Sequence, residues 1–212
     1  MKILVTGFDP FGGETTNPAY EAVKLLPDEI LGASIKKLEI PTEFDKSIEK
    51  VKKQIEEDRP DAVINVGQAG GRTCISIEKV AINLAEALIP DNAGKEPHDE
   101  PLEDGPDAYF STLPVRKIAE KIKAHNIPCD ISYSAGTYVC NSIMYRVLHL
   151  AATQYPDMQA GFIHVPFSNE QAAKKTRNVA SMPLTMIAEA IVCAIEAVVI
   201  DMYQKAFLKE QL

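Results

Sequence analysis

Short apolar runs alternate along this chain with segments whose apolar positions recur at helical spacing. Ile3–Thr6, Ala62–Val66 and Gly161–Val165 are largely apolar runs bounded by turn residues, the pattern of buried strands. Further strands are predicted at Ser34–Ile40, Ile75–Leu84 and Asp130–Tyr133. Val139, Ile143, Met144, Val147, Leu148 and Ala151 lie on one helical stripe, which predicts an amphipathic helix over Tyr138–Ala152. Other helices are expected from the cap Asn17 and Pro18, over Glu43–Glu57, over Pro114–His125 and from Pro183 to Lys209. Between Pro90 and Pro106 the chain is rich in Pro, Asp, Asn and Gly and reads as a long loop, functional or mobile. Such alternation calls for an α/β fold: a three-layer sandwich with a twisted, mostly parallel (mixed) sheet and helices on both faces. No repeat, low-complexity tract or linker interrupts it, so residues 1–212 read as a single domain.

The last helix is apolar around most of its circumference from Ile187 to Ile200, broken by Glu189 and Glu196. It is too short and too charged to cross a membrane. Packing against the sheet is the expected use, with room left for a subunit contact. Cys193 lies on this helix and could approach a symmetry mate, but reads as structural.

Composition narrows the classes. The net charge is −8 and Lys and Arg are scattered, which argues against a nucleic-acid footprint. The cysteines at 74, 129, 140 and 193 form no CxxC pair and no zinc spacing, so no metal is expected. No targeting pattern precedes the first strand. The expected setting is therefore the reducing cytoplasm, where a free thiol survives. Gly7, Gly12 and Gly13 do not match GxGxxG, so a nucleotide cofactor has little support.

Three segments carry candidate chemistry. In Ser134-Ala135-Gly136-Thr137-Tyr138-Val139-Cys140-Asn141 one cysteine stands where a strand gives way to a helix. Gly136 permits a sharp turn and Thr137 can cap the helix. A thiol in a first helical turn faces unpaired N–H groups and the positive end of the dipole, which favour thiolate and could later hold an oxyanion. A small buried residue at a helix start is an equal reading of Cys140. In Gly161-Phe162-Ile163-His164-Val165 a histidine interrupts a buried strand, at a cost unless it is hydrogen-bonded or used. It could be a satisfied core residue. It could also meet Cys140, because the C-terminal ends of parallel strands gather on one edge of a sheet. In Ile75-Ser76-Ile77-Glu78-Lys79 a carboxylate stands in apolar surroundings. It can orient a histidine, or simply pair with Lys79 or Arg72.

Together these segments resemble the pyrrolidone carboxyl peptidase (pyroglutamyl peptidase I) family of cysteine peptidases. The resemblance covers nearly the whole chain. It includes Val5–Gly13, Asn17-Pro18, Gly67–Arg72, Glu78–Asn83, Ile89-Pro90-Asp91-Asn92, Tyr109–Pro114, Ser134–Asn141 and Gly161–Pro166, in the family's order and spacing. It implies that Cys140 is the nucleophile, His164 the general base and acid, and Glu78 its orienter. The implied activity is release of N-terminal pyroglutamate from peptides through a thioester, with no cofactor, by a homo-oligomer, a tetramer. One departure is visible: Leu88 stands where the family usually has arginine.

A pyroglutamyl ring is a flat neutral lactam, so its pocket needs apolar walls and a few hydrogen bonds. Phe8 and Phe11 could sandwich it and Asn17 could meet its polar edge. Core packing and helix capping are the competing uses. Gln68 and Val139 complete the substrate-binding set that the resemblance implies. Two other classes stay open: a nucleoside-phosphorylase-type enzyme, since similar sheets host that chemistry, and a non-catalytic pyroglutamyl-binding protein.

Overall fold

A computed structural model describes residues 1–209. Strand β1 (Lys2–Phe8) runs into a loop that ends at Asn17, whose side chain accepts a hydrogen bond from Ala19 N and caps α1 (Pro18–Lys24). The short β2 (Glu29–Ile30) turns back on β3 (Ala33–Ile40), which leads to α2 (Lys46–Asp58). Then come β4 (Ala62–Gln68), β5 (Ile75–Glu78), β6 (Val80–Ile82) and β7 (Ala108–Phe110). Helix α3 (Val115–Ala124), strand β8 (Cys129–Ser132), helix α4 (Val139–Thr153) and strand β9 (Gln159–Val165) follow. The chain ends with β10 (Phe167–Ser168), α5 (Asn169–Ala173), β11 (Ser181–Met182) and α6 (Leu184–Lys209).

Seven strands form the main sheet in the order β2-β3-β1-β4-β9-β5-β8. Neighbours from β3 to β9 are parallel; β2 and β5 run against β3 and β9, and β8 runs with β5. The sheet is thus mixed and mostly parallel, as the alternation predicted. Helices α1, α3 and α6 cover one face over Ile3, Val5, Ile64, Val66, Ile75, Ile77, Ile163 and Val165. Helices α2 and α4 cover the other over Leu4, Val63, Ala160 and Phe162.

Strand alternation decides where the chemistry falls. The α1/α3/α6 face is apolar along the full length of the central strands. The α2/α4 face turns polar toward their ends, where Thr6, Asn65, Ser76, Glu78 and His164 are all buried. Thr6 and Asn65 satisfy each other and the Gly161 carbonyl. The remaining polar groups of that face form the candidate site.

The structure alters several readings. The single strand expected over Ile75–Leu84 is two. Strand β5 belongs to the main sheet, while β6 leaves it to pair with β7. The break falls at Lys79, a polar residue where the period of two calls for an apolar one, and there the chain changes partner. The long loop is pinned rather than loose. Asn83 accepts from Leu102 N and Glu103 N, Asp91 accepts from Phe44 N, Ala93 N and Lys95 N, and Arg146 of α4 donates to the Phe44 and Leu102 carbonyls. Cys193 lies in the core against the sheet, which removes it from any surface a symmetry mate could reach. No helix among the described residues is long and apolar enough to cross a membrane.

Candidate active site

The site forms where β4, β9 and β5 lie side by side. Gly67 is opposite His164 in the parallel pair β4–β9. In the antiparallel pair β5–β9, Ser76 is opposite His164 and Glu78 is opposite Phe162. Glu78 therefore sits diagonally across from His164 on the same face, within reach of a long side chain. Its Oε1 meets His164 Nδ1 at 2.7 Å, with both side chains buried. The expected carboxylate–imidazole pair is present. The alternative partner Arg72 is present too, with Nη1 2.9 Å from the same Oε1, so the two readings of Glu78 coexist. Glu78 Oε2 is buried without a hydrogen-bond partner among the described residues.

Cys140 reaches this face from α4. Gly136 adopts φ +79°, the left-handed conformation that the turn into the helix demands. Thr137 does not cap the helix. The cap position is Tyr138, in extended conformation and with no side-chain cap bond, while Thr137 Oγ1 donates to the Glu86 carbonyl. The turn is fixed by that tertiary bond instead. Cys140 is the second helical residue, in the turn whose N–H groups lack intrahelical acceptors. Val139, Ile143, Met144 and Val147 anchor the helix in the core, each contributing about 1.5–3 kcal/mol of apolar burial. The thiol lies over the backbone of Gly67: a Cβ there would stand 2.9 Å from Cys140 Sγ and 2.6 Å from the Phe162 ring. Gly67 faces His164 in register, so the thiol lies over the strand that pairs with the His164 strand.

Electrostatics corrects the thiolate expectation. Burial pushes the Cys140 thiol up to about 12, Glu78 adds to that rise and Arg72 opposes it. Burial also lowers His164 from its ordinary value, against the Glu78 hydrogen bond and charge that raise it and together with Arg72, which lowers it further. The thiol lies over the β4 backbone next to the Phe162 ring, and burial is the first cause of its rise. Both shifts favour the uncharged forms, a neutral thiol and a neutral imidazole. Such a pair can move a proton from sulfur to nitrogen as a bond forms at sulfur.

The expected substrate residues divide. Phe8 is packed into the core, its ring 6.4 Å from that of Phe162, which in turn lies 4.7 Å from the His164 ring. Phe11 is partly exposed and faces Tyr138 at 6.4 Å, and Tyr138 meets Phe44 edge-on. Phe11 and Tyr138, the latter quoted in the sequence without a role, thus form a partly exposed aromatic pair. Asn17 accepts from Ala19 N and donates to the Asp9 carbonyl, so here it serves as the helix cap and as a tie to the loop before Phe11. Gln68 Oε1 accepts from Gln171 Nε2 at 2.8 Å, leaving the amide NH₂ as its free end. The Val139 side chain is buried in the core, so its backbone is the part that can meet a ligand. Arg72 had its signal in the Gly-Gly-Arg run, but its partner depends on the path of the loop after β4.

The family model described as pyroglutamyl peptidase matches residues 1–201. The chain belongs to this family. A pyrrolidone-carboxylate peptidase of Enterococcus faecalis is 58% identical over 200 residues, covering 94% of this chain and 93% of the relative. One of Treponema denticola is 55% identical over 203 residues, covering 94% of each. Crystal-structure pyroglutamyl peptidase I of Bacillus amyloliquefaciens matches with TM-score 0.89 at 44% identity, over 93% of this chain and 96% of that one. A mutant pyrrolidone carboxyl peptidase of Pyrococcus furiosus matches with TM-score 0.92 at 46% identity, over 95% and 100%. The fold is therefore that of the pyroglutamyl peptidases. Leu88, the departure noted in the sequence, is 90% exposed on the loop beside Ile89 and Pro90. Tyr138 Oη donates to the Pro90 carbonyl and holds this loop against the start of α4.

The close approach at Gly67 gives the site a sensitive point. Gly67→Ala is expected to lower kcat by about 10²-fold or more, because the methyl displaces either the thiol or the Phe162 ring that backs His164. Peptidase assay beside circular dichroism of the variant checks this. Wild-type turnover would mean that the thiol does not work from above Gly67.

Proposed function

We infer that the protein is a thiol exopeptidase that removes N-terminal pyroglutamate from peptides. The observation that carries this reading is the buried 2.7 Å Glu78–His164 pair beside a cysteine at the first turn of α4, in a chain of the pyroglutamyl peptidase family. Cys140 sulfur attacks the carbonyl joining pyroglutamate to the next residue while His164 takes the thiol proton. Glu78 holds the imidazole through Nδ1 and balances the imidazolium that forms. N–H groups of the first turn of α4 accommodate the tetrahedral oxyanion. The imidazolium then gives its proton to the leaving amine, the C–N bond breaks, and a thioester remains. Water, deprotonated by His164, attacks that thioester, releases pyroglutamate and returns the proton to sulfur.

Phe11 and Tyr138 supply the aromatic wall for the lactam, and Gln68 NH₂ supplies a donor for a ring or scissile carbonyl. The four cysteines are all unpaired, which suits a reducing, cytoplasmic setting. Self-association into a homo-oligomer, with a tetramer as the expected form, has a place on the exposed Ile200, Tyr203 and Phe207 of α6. Neither the nucleoside-phosphorylase reading nor the non-catalytic binding reading gains an observation here.

Amine release from pyroglutamyl, prolyl and glutaminyl amides, with and without a thiol-blocking reagent, tests the reading. The pyroglutamyl amide is expected to be strongly preferred. The other two bring a charged amine that an apolar pocket must desolvate without a partner, a penalty of roughly several kcal/mol. Comparable rates on all three, or rates indifferent to the reagent, would exclude this function.

A further inference from the structure

We propose that Arg72 is a positioning residue for this reaction, clamping Glu78 so that one carboxylate oxygen serves both the guanidinium and the imidazole. The proposal rests on the thiol-peptidase reading and deepens it. Arg72 Nη1 lies 2.9 Å from Glu78 Oε1, the atom that also meets His164 Nδ1 at 2.7 Å. Its Nη2 donates to the Ser134 carbonyl at 3.2 Å. The guanidinium thus ties three segments together: the loop after β4, the end of β5 and the turn that precedes Cys140.

This fork constrains the site in two ways. First, it fixes the carboxylate. Both donors converge on Oε1, and Oε2 has no hydrogen-bond partner among the described residues. Without Arg72 the carboxylate could turn to share its oxygens, and the imidazole would lose its fixed plane. Second, it sets the charge of the site. The charged groups that face His164 are Glu78 from β5 and Arg72 from the loop, with the Cys140 thiol arriving from α4. Burial is the first cause that holds His164 below its ordinary value; Glu78 raises it by hydrogen bond and charge, and Arg72 lowers it, so Arg72 opposes part of the pull of Glu78. Without Arg72 that pull is less opposed, and a protonated imidazole cannot take the proton of the thiol. Lysine would keep the charge at this position but has no planar fork to reach Glu78 and the Ser134 carbonyl together.

The test uses Arg72→Gln and Arg72→Lys. The imidazole of His164 is titrated by NMR in substrate-free protein labelled at its four histidines, with His164→Ala assigning the signal. The pH profile of kcat/KM on a pyroglutamyl amide and the melting temperature are measured alongside. Arg72→Gln is expected to move the His164 titration to higher pH. The acid limb of kcat/KM should move with it, so that activity at pH 6 falls on the order of tenfold further below its own plateau than in wild type. Arg72→Lys is expected to keep the titration near its wild-type position while kcat falls with little change in KM. A purely structural strut would lower the melting temperature and leave the titration in place. An unmoved His164 titration in Arg72→Gln overturns the proposal, whatever its turnover. If Arg72→Gln does not fold, wild-type kcat or a shifted titration in Arg72→Lys overturns it. The NMR arm needs no substrate. Wild-type protein inactive on pyroglutamyl amides would therefore sink the functional reading, while the titration still judged Arg72.

Discussion

Cys140→Ser is expected to keep the fold and lose hydrolysis of pyroglutamyl amides by at least about 10⁴-fold. The side chain sits at the second position of α4, whose apolar stripe is untouched by exchanging sulfur for oxygen. Melting temperature should therefore change little. The loss is chemical. A serine hydroxyl is a weaker acid than the thiol, and the neutral His164 beside it is too weak a base to compensate at this desolvated position. The other three cysteines provide the contrast. Burial pushes Cys129 up to about 12 and raises Cys193, and both belong to the core on the α1/α3/α6 face, across the sheet from the site. Serine at either costs about 1–3 kcal/mol for a buried hydroxyl, so stability drops while turnover of the folded protein stays. Cys74→Ser should leave both nearly intact. Turnover of Cys140→Ser within tenfold of wild type, measured beside these three controls, would assign the nucleophile elsewhere.

What could be read in the sequence was whatever local period controls. The runs at Ile3, Ala62 and Gly161 became β1, β4 and β9, and the stripe from Val139 to Ala151 became α4. The Asn17-Pro18 start was also legible, because a cap bond spans only two residues. One local signal was passed over: Ser168 with Gln171 forms the capping box of α5, an S-x-x-Q pattern visible in the chain. The alternation of Ile75–Glu78 stops at Lys79, a local sign of the division, and there the partner switches from β9 to β7. The other misses are tertiary. Thr137 suits a cap by composition, but the loop through Glu86 arrives in space and takes its hydroxyl. The thiolate expectation came from the helix alone, whereas the strands beneath it set the desolvation. His164 and Glu78 were legible because each stands in an apolar run, and Cys140 because it stands where a strand gives way to a helix. The common edge for Cys140 and His164 could be anticipated from parallel strand ends, but the approach of Glu78 could not, since it depends on β5 running antiparallel to β9, which puts Glu78 one diagonal from His164.

His164→Ala is expected to abolish turnover, by about 10³–10⁴-fold, and Glu78→Gln to lower it by a smaller factor, roughly 10²-fold. Alanine removes the imidazole that the proposed reaction uses to take the thiol proton, and a thiol near 12 does not ionise unaided at neutral pH. Glutamine keeps an oxygen that can accept the Nδ1 hydrogen, so the ring stays oriented, but it cannot balance the imidazolium. The pH profile adds a sign to this grading. His164 is lowered from its ordinary value of 6.5, so the imidazole stays unprotonated below that pH, and the acid limb of kcat/KM should fall under 6.5. Glu78 raises His164 and Arg72 lowers it. Glu78→Gln should therefore push the limb further down and Arg72→Gln should pull it up. Opposite movements from two residues that share one oxygen atom are hard to obtain from general destabilisation, which would cut activity at every pH alike. Rate profiles of wild type, Glu78→Gln and Glu78→Ala between pH 4 and 9 decide the point. Wild-type rates in both Glu78 variants would remove Glu78 from the site. A wild-type acid limb above 6.5 would mean that the carboxylate, rather than burial, governs His164.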